Sequence, residues 1–208
     1  MADEKKGFLE QAYGVEDSEA TKRLYENWAE TYDAEVRSYG YTTPERCAEA
    51  LAAHVEDRNA PLLDLGCGTG LSGEAFRDAG FTTIDGTDFS QEMLDQARRK
   101  SGVYRKLTLG DLNNPIPAEP DEYSNIAAVG VFSPSHAPAD MIETVMALLP
   151  QGGCFVFSLN DHALADPSYK ERIDDLVSRG KAELVFEEYG DHLPKAGIKS
   201  SVCVLRKR

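Results

Sequence analysis

The residues with the most evident chemistry follow a short apolar stretch. Segment 62–65 is apolar apart from Asp64, and this pattern predicts a short buried strand. Three glycines occur within the next five positions, at Gly66, Gly68 and Gly70. Glycine turns the backbone where side chains would obstruct a ligand, and the first N–H groups of a helix can hold a ligand's negative end. The stretch therefore predicts a strand, a ligand-binding turn and a helix that begins near Thr69.

The spacing of these glycines distinguishes two kinds of cofactor site. The dinucleotide fingerprint Gly-x-Gly-x-x-Gly needs its third glycine where this chain has Leu71, and here that glycine comes one residue earlier. The run Leu-Asp-Leu-Gly-Cys-Gly-Thr-Gly, residues 63–70, resembles the first motif of the class I methyltransferases that use S-adenosylmethionine. A purely structural turn is the alternative. The resemblance implies S-adenosylmethionine as cofactor and these cofactor-binding residues: Asp64, Gly66, Cys67, Gly68, Thr69, Gly70 and Leu71.

A second acid stands at the end of the next predicted strand, 81–87. Asp88 comes 22 positions after Gly66, where a βαβ unit places an acid at the tip of its second strand. A carboxylate there can accept both hydroxyl hydrogens of a ribose, whereas the alternative is a cap for the helix that starts at Ser90. The run Gly-Thr-Asp-Phe-Ser-Gln-Glu-Met-Leu also resembles the second motif of the same family. By that resemblance, Phe89 and Met93 frame the adenine.

A third acid, Asp111, follows the predicted strand 104–109. The resemblance implies that Asp111 accepts a hydrogen bond from the adenine amino group and that the backbone N–H of Leu112 faces the ring. The alternative is a turn aspartate, because Gly-Asp and Asn-Pro are ordinary loop signals.

The predicted fourth strand, 125–132, is nearly all apolar, as expected of a central parallel strand covered on both faces. Ligands of open α/β sheets lie at the carboxyl ends of strands, so the loop after Gly130 should meet the cofactor and the methyl acceptor. Methyl transfer by in-line displacement needs alignment and dehydration, but no metal and no nucleophile of the protein. An acceptor proton needs a base, for which His136 is the candidate and His162 and His192 are alternatives. The expected substrate-side residues are Tyr39, Tyr41, Ser133, Ser135, His136 and Asn160.

An aromatic stripe marks the predicted helix from Ser18 to about Val36. Leu24, Tyr25, Trp28 and Tyr32 recur at helical spacing. Apolar stripes usually serve packing, which is one interpretation. The sequence Tyr-Glu-Asn-Trp-Ala-Glu-Thr-Tyr-Asp also resembles the helix that several small-molecule methyltransferases place over the cofactor. By that resemblance, Trp28 and Tyr32 form a lid.

The remaining elements predict an α/β fold. It has a Rossmann-like, seven-stranded, mostly parallel sheet with an antiparallel last strand, helices on both faces and an N-terminal helical extension. Thr43 and Pro44 are expected to open a helix that packs on the sheet, and two strands, 182–188 and 199–205, form a closing hairpin. We divide the chain into an extension, 1–58, and a methyltransferase domain, 59–208.

Composition limits the partners. The chain has 208 residues and a net charge of −14, which disfavours nucleic acid because an acidic surface repels phosphate backbones. Its four cysteines are widely spaced, and we find no secretion signal or membrane span, so a cytoplasmic location is expected. The predicted function is methyl transfer to a small molecule. A nicotinamide-dependent oxidoreductase, which lacks support from a Tyr-x-x-x-Lys pair, and a non-catalytic binding module are the alternatives.

Overall fold

A seven-stranded sheet forms the centre of the computed structural model, which describes residues 18–110, 115–133 and 137–208. The strands are β1 (Leu62–Leu65), β2 (Ile84–Asp88), β3 (Lys106–Leu109), β4 (Asn125–Phe132), β5 (Cys154–Asn160), β6 (Ala182–Leu193) and β7 (Ile198–Lys207). Their order across the sheet is β3-β2-β1-β4-β5-β7-β6. Each neighbouring pair from β3 to β5 is parallel, and β7 runs antiparallel to both β5 and β6. The predicted fold class is confirmed.

Helices cover both faces of this sheet. In chain order they are α1 (Ser18–Trp28), α2 (Tyr32–Ser38), α3 (Thr43–His54), α4 (Leu71–Asp78), α5 (Gln91–Arg99), α6 (Asp140–Leu148), α7 (Asp161–Leu164) and α8 (Pro167–Ser178). A short 3-10 helix, Pro194–Ala196, connects β6 to β7. The strand order reverses at β1, because β2 and β3 follow on one side of it and β4 and β5 lie on the other. The carboxyl end of β1 is therefore the switch point where such sheets bind ligands.

Two apolar layers stabilise the sheet, because successive strand residues point to opposite faces. On one face Leu63 and Leu65 pack with α6 and α8, whose buried residues include Ile142 and Ile173. On the other face, Leu62 packs with α3 and α4. The expectation that α3 packs on the sheet is therefore confirmed. The boundary proposed near residue 58 stays an interpretation.

The N-terminal helix differs from the prediction. The sequence predicts one helix from residue 18 to about 36, whereas the structure has α1 and α2 separated at residues 29–31. A local contact accompanies the break, because across the turn the indole N–H of Trp28 donates to the Glu35 carboxylate at 2.9 Å. The turn also allows Val36 to be buried beside Trp28 in a third apolar cluster.

Other helix and strand boundaries also differ from the prediction. Helix α4 begins at Leu71 and not near Thr69, because Gly70 adopts a left-handed conformation, with φ +92°, as its N-cap. Thr42, and not Thr43, is the N-cap of α3; the hydroxyl of Thr43 instead contacts His192. Strand β2 begins at Ile84 and not at residue 81, and the closing hairpin extends through 182–193 and 198–207.

All four cysteines, Cys47, Cys67, Cys154 and Cys203, are buried and unpaired. Within the described residues, no helix is both long enough and apolar enough to cross a membrane.

Candidate cofactor and acceptor site

Asp88 and the glycine turn meet at the carboxyl edge of the sheet. Strands β1 and β2 are neighbours, and their register carries Asp88 past the end of β1 to the turn. The Asp88 carboxylate accepts hydrogen bonds from the backbone N–H groups of Gly68 and Ser90, each at 2.9 Å. Asp88 is 5% exposed, and burial raises its pKa to about 6. The side chain therefore stands where the sequence predicted a ribose-binding acid.

The glycines of the turn have different constraints. Gly66 and Gly68 both have positive φ, +64° and +53°, which side chains rarely adopt. A Cβ on Gly66 would lie 2.6 Å from Cγ2 of Val131, so the space there is already filled by protein. A Cβ on Gly68 would have no atom within 4 Å. The open side of the turn is therefore at Gly68, next to Asp88.

Asp64 lies beneath this turn and is completely buried. Its Oδ2 accepts hydrogen bonds from the hydroxyls of Ser72 and Tyr104, each at 2.7 Å. Its Oδ1 is buried without a hydrogen-bond partner among the described residues. Burial, with a smaller contribution from the nearby Asp88 charge, raises the pKa of Asp64 to about 6.

This burial predicts the effect of replacing Asp64 with asparagine. A carboxyl group whose pKa is higher in the folded chain than in the unfolded chain loses its stabilising contribution as the pH rises from about 4 to about 6. The neutral amide avoids the buried charge, so we expect Asp64→Asn to raise the free energy of unfolding by about 1–3 kcal/mol at pH 7.5 and to change it little at pH 4. Urea denaturation at the two pH values measures this.

Asp78→Asn is the matched control, because Asp78 is exposed on α4 and its replacement should change stability little at either pH. Lower stability of Asp64→Asn than of the unchanged protein at pH 7.5 would contradict this account of the buried carboxylate.

The N-terminal aromatic residues pack together at the edge of the site. Trp28, 1% exposed, contacts Tyr25 and Tyr32, with ring centroids 5.7 and 4.7 Å apart. Tyr25 in turn meets the edge of Phe89, the residue after Asp88, at 6.2 Å. Helices α1 and α2 thus reach the predicted adenine side, whereas the role of Trp28 and Tyr32 as a lid stays a prediction.

Asp33 connects α2 to the glycine turn. Its carboxylate accepts a hydrogen bond from the hydroxyl of Thr69 and forms an ion pair with Lys100 at the end of α5. Glu74 of α4 adds ion pairs with Lys100 at 3.4 Å and with Arg37 of α2 at 3.1 Å. These contacts hold α2 against the start of α4.

The loop that was predicted to meet the methyl acceptor follows the irregular end of β4. Gly130 has φ +71°, and its N–H donates to the hydroxyl of Ser158 at 2.8 Å. A Cβ on Gly130 would lie 2.7 Å from the hydroxyl of Tyr41, so Tyr41 covers this point of the strand. The Tyr41 ring meets the edge of the His192 ring, 5.1 Å between centroids.

His192 is 5% exposed, and its Nδ1 lies 2.7 Å from the hydroxyl of Thr43. Burial lowers the pKa of His192 to about 4, which leaves the imidazole uncharged at neutral pH. Of the histidines considered as a base, His192 thus lies beside Tyr41, which covers Gly130, whereas His162 lies exposed on α7. The favoured candidate, His136, lies outside the described residues.

Several other predicted site residues can be placed. Phe89 is partly buried, and Met93 is 2% exposed, its backbone N–H donating to the hydroxyl of Ser90. Tyr39 packs in the N-terminal aromatic cluster, and Ser133 is partly buried at the end of β4. The side chain of Asn160 caps α7, accepting from the backbone N–H of Ala163 at 3.0 Å, a role that the sequence did not predict. Outside the described residues lie Asp111, Leu112, Ser135 and His136.

The sequence prediction missed the groups that support these residues. They are Asp33, Ser72, Lys100, Tyr104 and Ser158. The local sequence around Asp33, Ser72, Lys100 and Ser158 does not indicate that these residues support the site. Tyr104 was predicted only as the first residue of the third strand, 104–109.

A glycine turn at the switch point of a Rossmann-like sheet is typical of proteins that bind a nucleotide cofactor. Comparison with known proteins identifies the family. The family described as "Methyltransferase domain" matches residues 62–153. Methyltransferase-like protein 27 of Homo sapiens is 30% identical over 172 residues, which cover 81% of this chain and 69% of that protein. The chain therefore belongs to the class I S-adenosylmethionine-dependent methyltransferases, and S-adenosylmethionine is its cofactor.

Two further comparisons concern partners. The 18S rRNA (guanine-N(7))-methyltransferase of Bos taurus is 31% identical over 115 residues, 50% of this chain but only 40% of that protein. A solved complex between the Haloferax volcanii Trm112 methyltransferase activator and a putative methyltransferase matches with a TM-score of 0.66 and 16% identity, covering 90% of this chain and 98% of that one. The sequence prediction that excluded nucleic acid from the partners is therefore wrong. Net charge is an average over the whole surface and does not decide what one face of it binds.

Proposed function

We propose that the ribose of S-adenosylmethionine is held by Asp88 beside Gly68. The observation that carries this proposal is the 2.9 Å hydrogen bond from the Gly68 N–H to the Asp88 carboxylate, next to a backbone position with no atom within 4 Å of a Cβ. A carboxylate has about four lone-pair positions, so Asp88, which accepts from the backbone of Gly68, Ser90 and Phe89, retains capacity for the ribose hydroxyls.

The residues fit this cofactor in a second respect. S-adenosylmethionine carries positive charge at its sulfonium and amino groups, and the buried Oδ1 of Asp64 lacks a hydrogen-bond partner among the described residues. A cation near Asp64 and Asp88 compensates two buried carboxylates, and the charge of Asp88 contributes to the raised pKa of Asp64. The full set of proposed cofactor residues is Trp28, Tyr32, Asp64, Gly66, Cys67, Gly68, Thr69, Gly70, Leu71, Asp88, Phe89, Met93, Asp111, Leu112 and Gly130.

The chemistry assigned to the protein is alignment and dehydration. When bound, the cofactor supplies an activated methyl group for in-line displacement. Gly130 leaves the end of β4 free of a side chain, and Tyr41 covers it, which limits the directions from which an acceptor atom can approach. The uncharged His192 beside Tyr41 is suited to accept a proton or a hydrogen bond if the acceptor reaches it. His136 stays the alternative base.

For the acceptor we propose a small molecule. Tyr41 over Gly130 and the buried aromatic cluster around Trp28 narrow this edge of the site. RNA is the competing acceptor because of the rRNA methyltransferase among the relatives. We also propose a cytoplasmic location, because the four cysteines are unpaired and unpaired cysteines are usual in a reducing compartment.

A thermal-shift assay followed by turnover tests the proposal. S-adenosylhomocysteine at about one hundred times its Kd should stabilise the native chain by about 2.7 kcal/mol, whereas NAD should leave the melting temperature unchanged. Radiolabelled methyl transfer is then measured with a metabolite fraction and with total RNA in parallel. Label in the metabolite fraction supports a small-molecule acceptor, and label confined to RNA contradicts it. Cofactor binding without turnover of either would favour a binding module.

A further inference from the structure

Tyr104 lies directly beneath the cofactor turn, although it precedes β3 and stands outside the glycine motif. Its hydroxyl donates to Oδ2 of Asp64 at 2.7 Å and accepts from the backbone N–H of Gly73 at 3.1 Å. Gly73 is the third residue of α4, and the first N–H groups of a helix lack partners within the helix. The N-cap of α4 is Gly70, which has no side chain to accept such a bond. The Tyr104 hydroxyl therefore takes the place of a helix-capping side chain.

The ring of Tyr104 fits a slot walled by glycines. A Cβ on Gly73 would lie 2.3 Å from Cζ of Tyr104, and a Cβ on Gly70 would lie 3.1 Å from its Cε2. A Cβ on Gly86, in β2, would lie 3.0 Å from its Cε1. Two of these glycines, Gly73 and Gly86, do not belong to the glycine-rich motif. Their lack of a side chain is explained by the ring that they accommodate.

We propose that Tyr104 is a positioning residue for the cofactor site, acting through Asp64 and the first turn of α4. This inference rests on the proposed cofactor site. The hydroxyl links two groups that the turn needs: the carboxylate below it and the helix that follows it. Without that hydroxyl, the N–H of Gly73 loses its acceptor and Asp64 loses one of its hydrogen bonds. The turn is then free to shift from the geometry that the cofactor needs.

The pH dependence of cofactor binding reports on the charge of Asp64, and loss of stability alone would not change it. The groups that face Asp64 are Tyr104, Asp88 of β2, Cys67 of the turn and Cys47 of α3. The hydrogen bond from Tyr104 lowers the pKa of Asp64 against the effect of burial. Cofactor affinity should weaken as the pH falls and Asp64 and Asp88 become protonated. Removing the Tyr104 hydroxyl should move the midpoint of that loss to higher pH.

The test is calorimetric titration of S-adenosylhomocysteine into Tyr104→Phe across pH 5–8. Tyr123→Phe is the matched control, because the Tyr123 hydroxyl also donates to a buried carboxylate, Asp85, at 2.9 Å, but away from the turn. We expect Tyr104→Phe to raise the Kd about tenfold at pH 7.5 and to move the pH midpoint upward. Tyr123→Phe should lower thermal stability without changing the Kd or the midpoint.

Three outcomes decide the matter. An unchanged Kd in Tyr104→Phe overturns the inference, as does an equal loss of affinity in Tyr123→Phe. If the unchanged protein does not bind S-adenosylhomocysteine, the proposed function itself fails. Should Tyr104→Phe not fold, Ser72→Ala removes the other hydroxyl on the same Asp64 oxygen, and it must raise the midpoint in the same direction for the inference to stand.

Discussion

Asp88→Ala is expected to weaken the binding of S-adenosylmethionine by about 1–3 kcal/mol, through loss of charge-assisted hydrogen bonds to the ribose. The same replacement leaves the backbone N–H groups of Gly68 and Ser90 without their acceptor, so the turn also loses its link to β2. Both effects reduce affinity, and calorimetry with S-adenosylhomocysteine measures their sum.

Asp166→Ala provides the matched control for this loss. Asp166 is also an acid that accepts a backbone N–H at the start of a helix, from Ser168 at 2.9 Å, but it caps α8 away from the turn. Its replacement should cost about 0.5–2 kcal/mol of stability and leave the Kd unchanged. Equal affinities of Asp88→Ala and the unchanged protein would remove Asp88 from the site.

Gly68→Ala should give the second large effect, and its mechanism is different. Its φ of +53° makes any side chain cost about 1 kcal/mol of stability, but there is no protein atom within 4 Å for the added methyl group to meet. If the cofactor occupies that open space, the methyl group overlaps with it and weakens binding by about 1–3 kcal/mol. A thermal melt and a titration of the same variant separate the two effects.

Gly152→Ala is the control for backbone strain. Gly152 has φ +85° and likewise no atom within 4 Å of a Cβ, but it lies in the loop before β5. The two variants should lose similar stability, and only Gly68→Ala should lose affinity. Equal affinities would indicate that the open side of the turn is not where the cofactor lies.

The contact between Asp88 and Gly68 could be predicted from the sequence, because it follows from the strand pattern and the sheet topology. An apolar segment, a glycine turn and an acid one strand later place both residues at neighbouring carboxyl ends once β1 and β2 pair. The strand β4 was equally clear, since its apolar run of 125–132 has the length and composition of a covered central strand. In these cases local pattern and tertiary structure agree.

Contacts between distant segments could not be predicted in this way. Tyr104 bonds to an acid 40 positions away, and His192 bonds to Thr43 across 149 positions. Neither pair has a spacing that a motif describes. The break between α1 and α2 is a different case, because the contact of Trp28 with Glu35 across it is local. The helical pattern continues through residues 29–31 and does not indicate the break.

The exclusion of nucleic acid used the net charge alone, which does not describe how charge is distributed along the chain. A net charge of −14 coexists with a basic segment, 98–106, that holds Arg98, Arg99, Lys100, Arg105 and Lys106. Three of these cations already pair with acids: Arg98 with Asp95, Lys100 with Asp33, and Arg105 with Asp85. Charge is therefore distributed unevenly and is partly neutralised locally, so its sum over the chain is a poor guide to partners.

The most direct test of the cofactor assignment is a crystal structure of the complex with S-adenosylhomocysteine. The ribose hydroxyl oxygens should lie within about 3.2 Å of the Asp88 carboxylate, with the nucleoside against the open side of Gly68. A ribose that contacts neither Asp88 nor Gly68 would contradict the assignment.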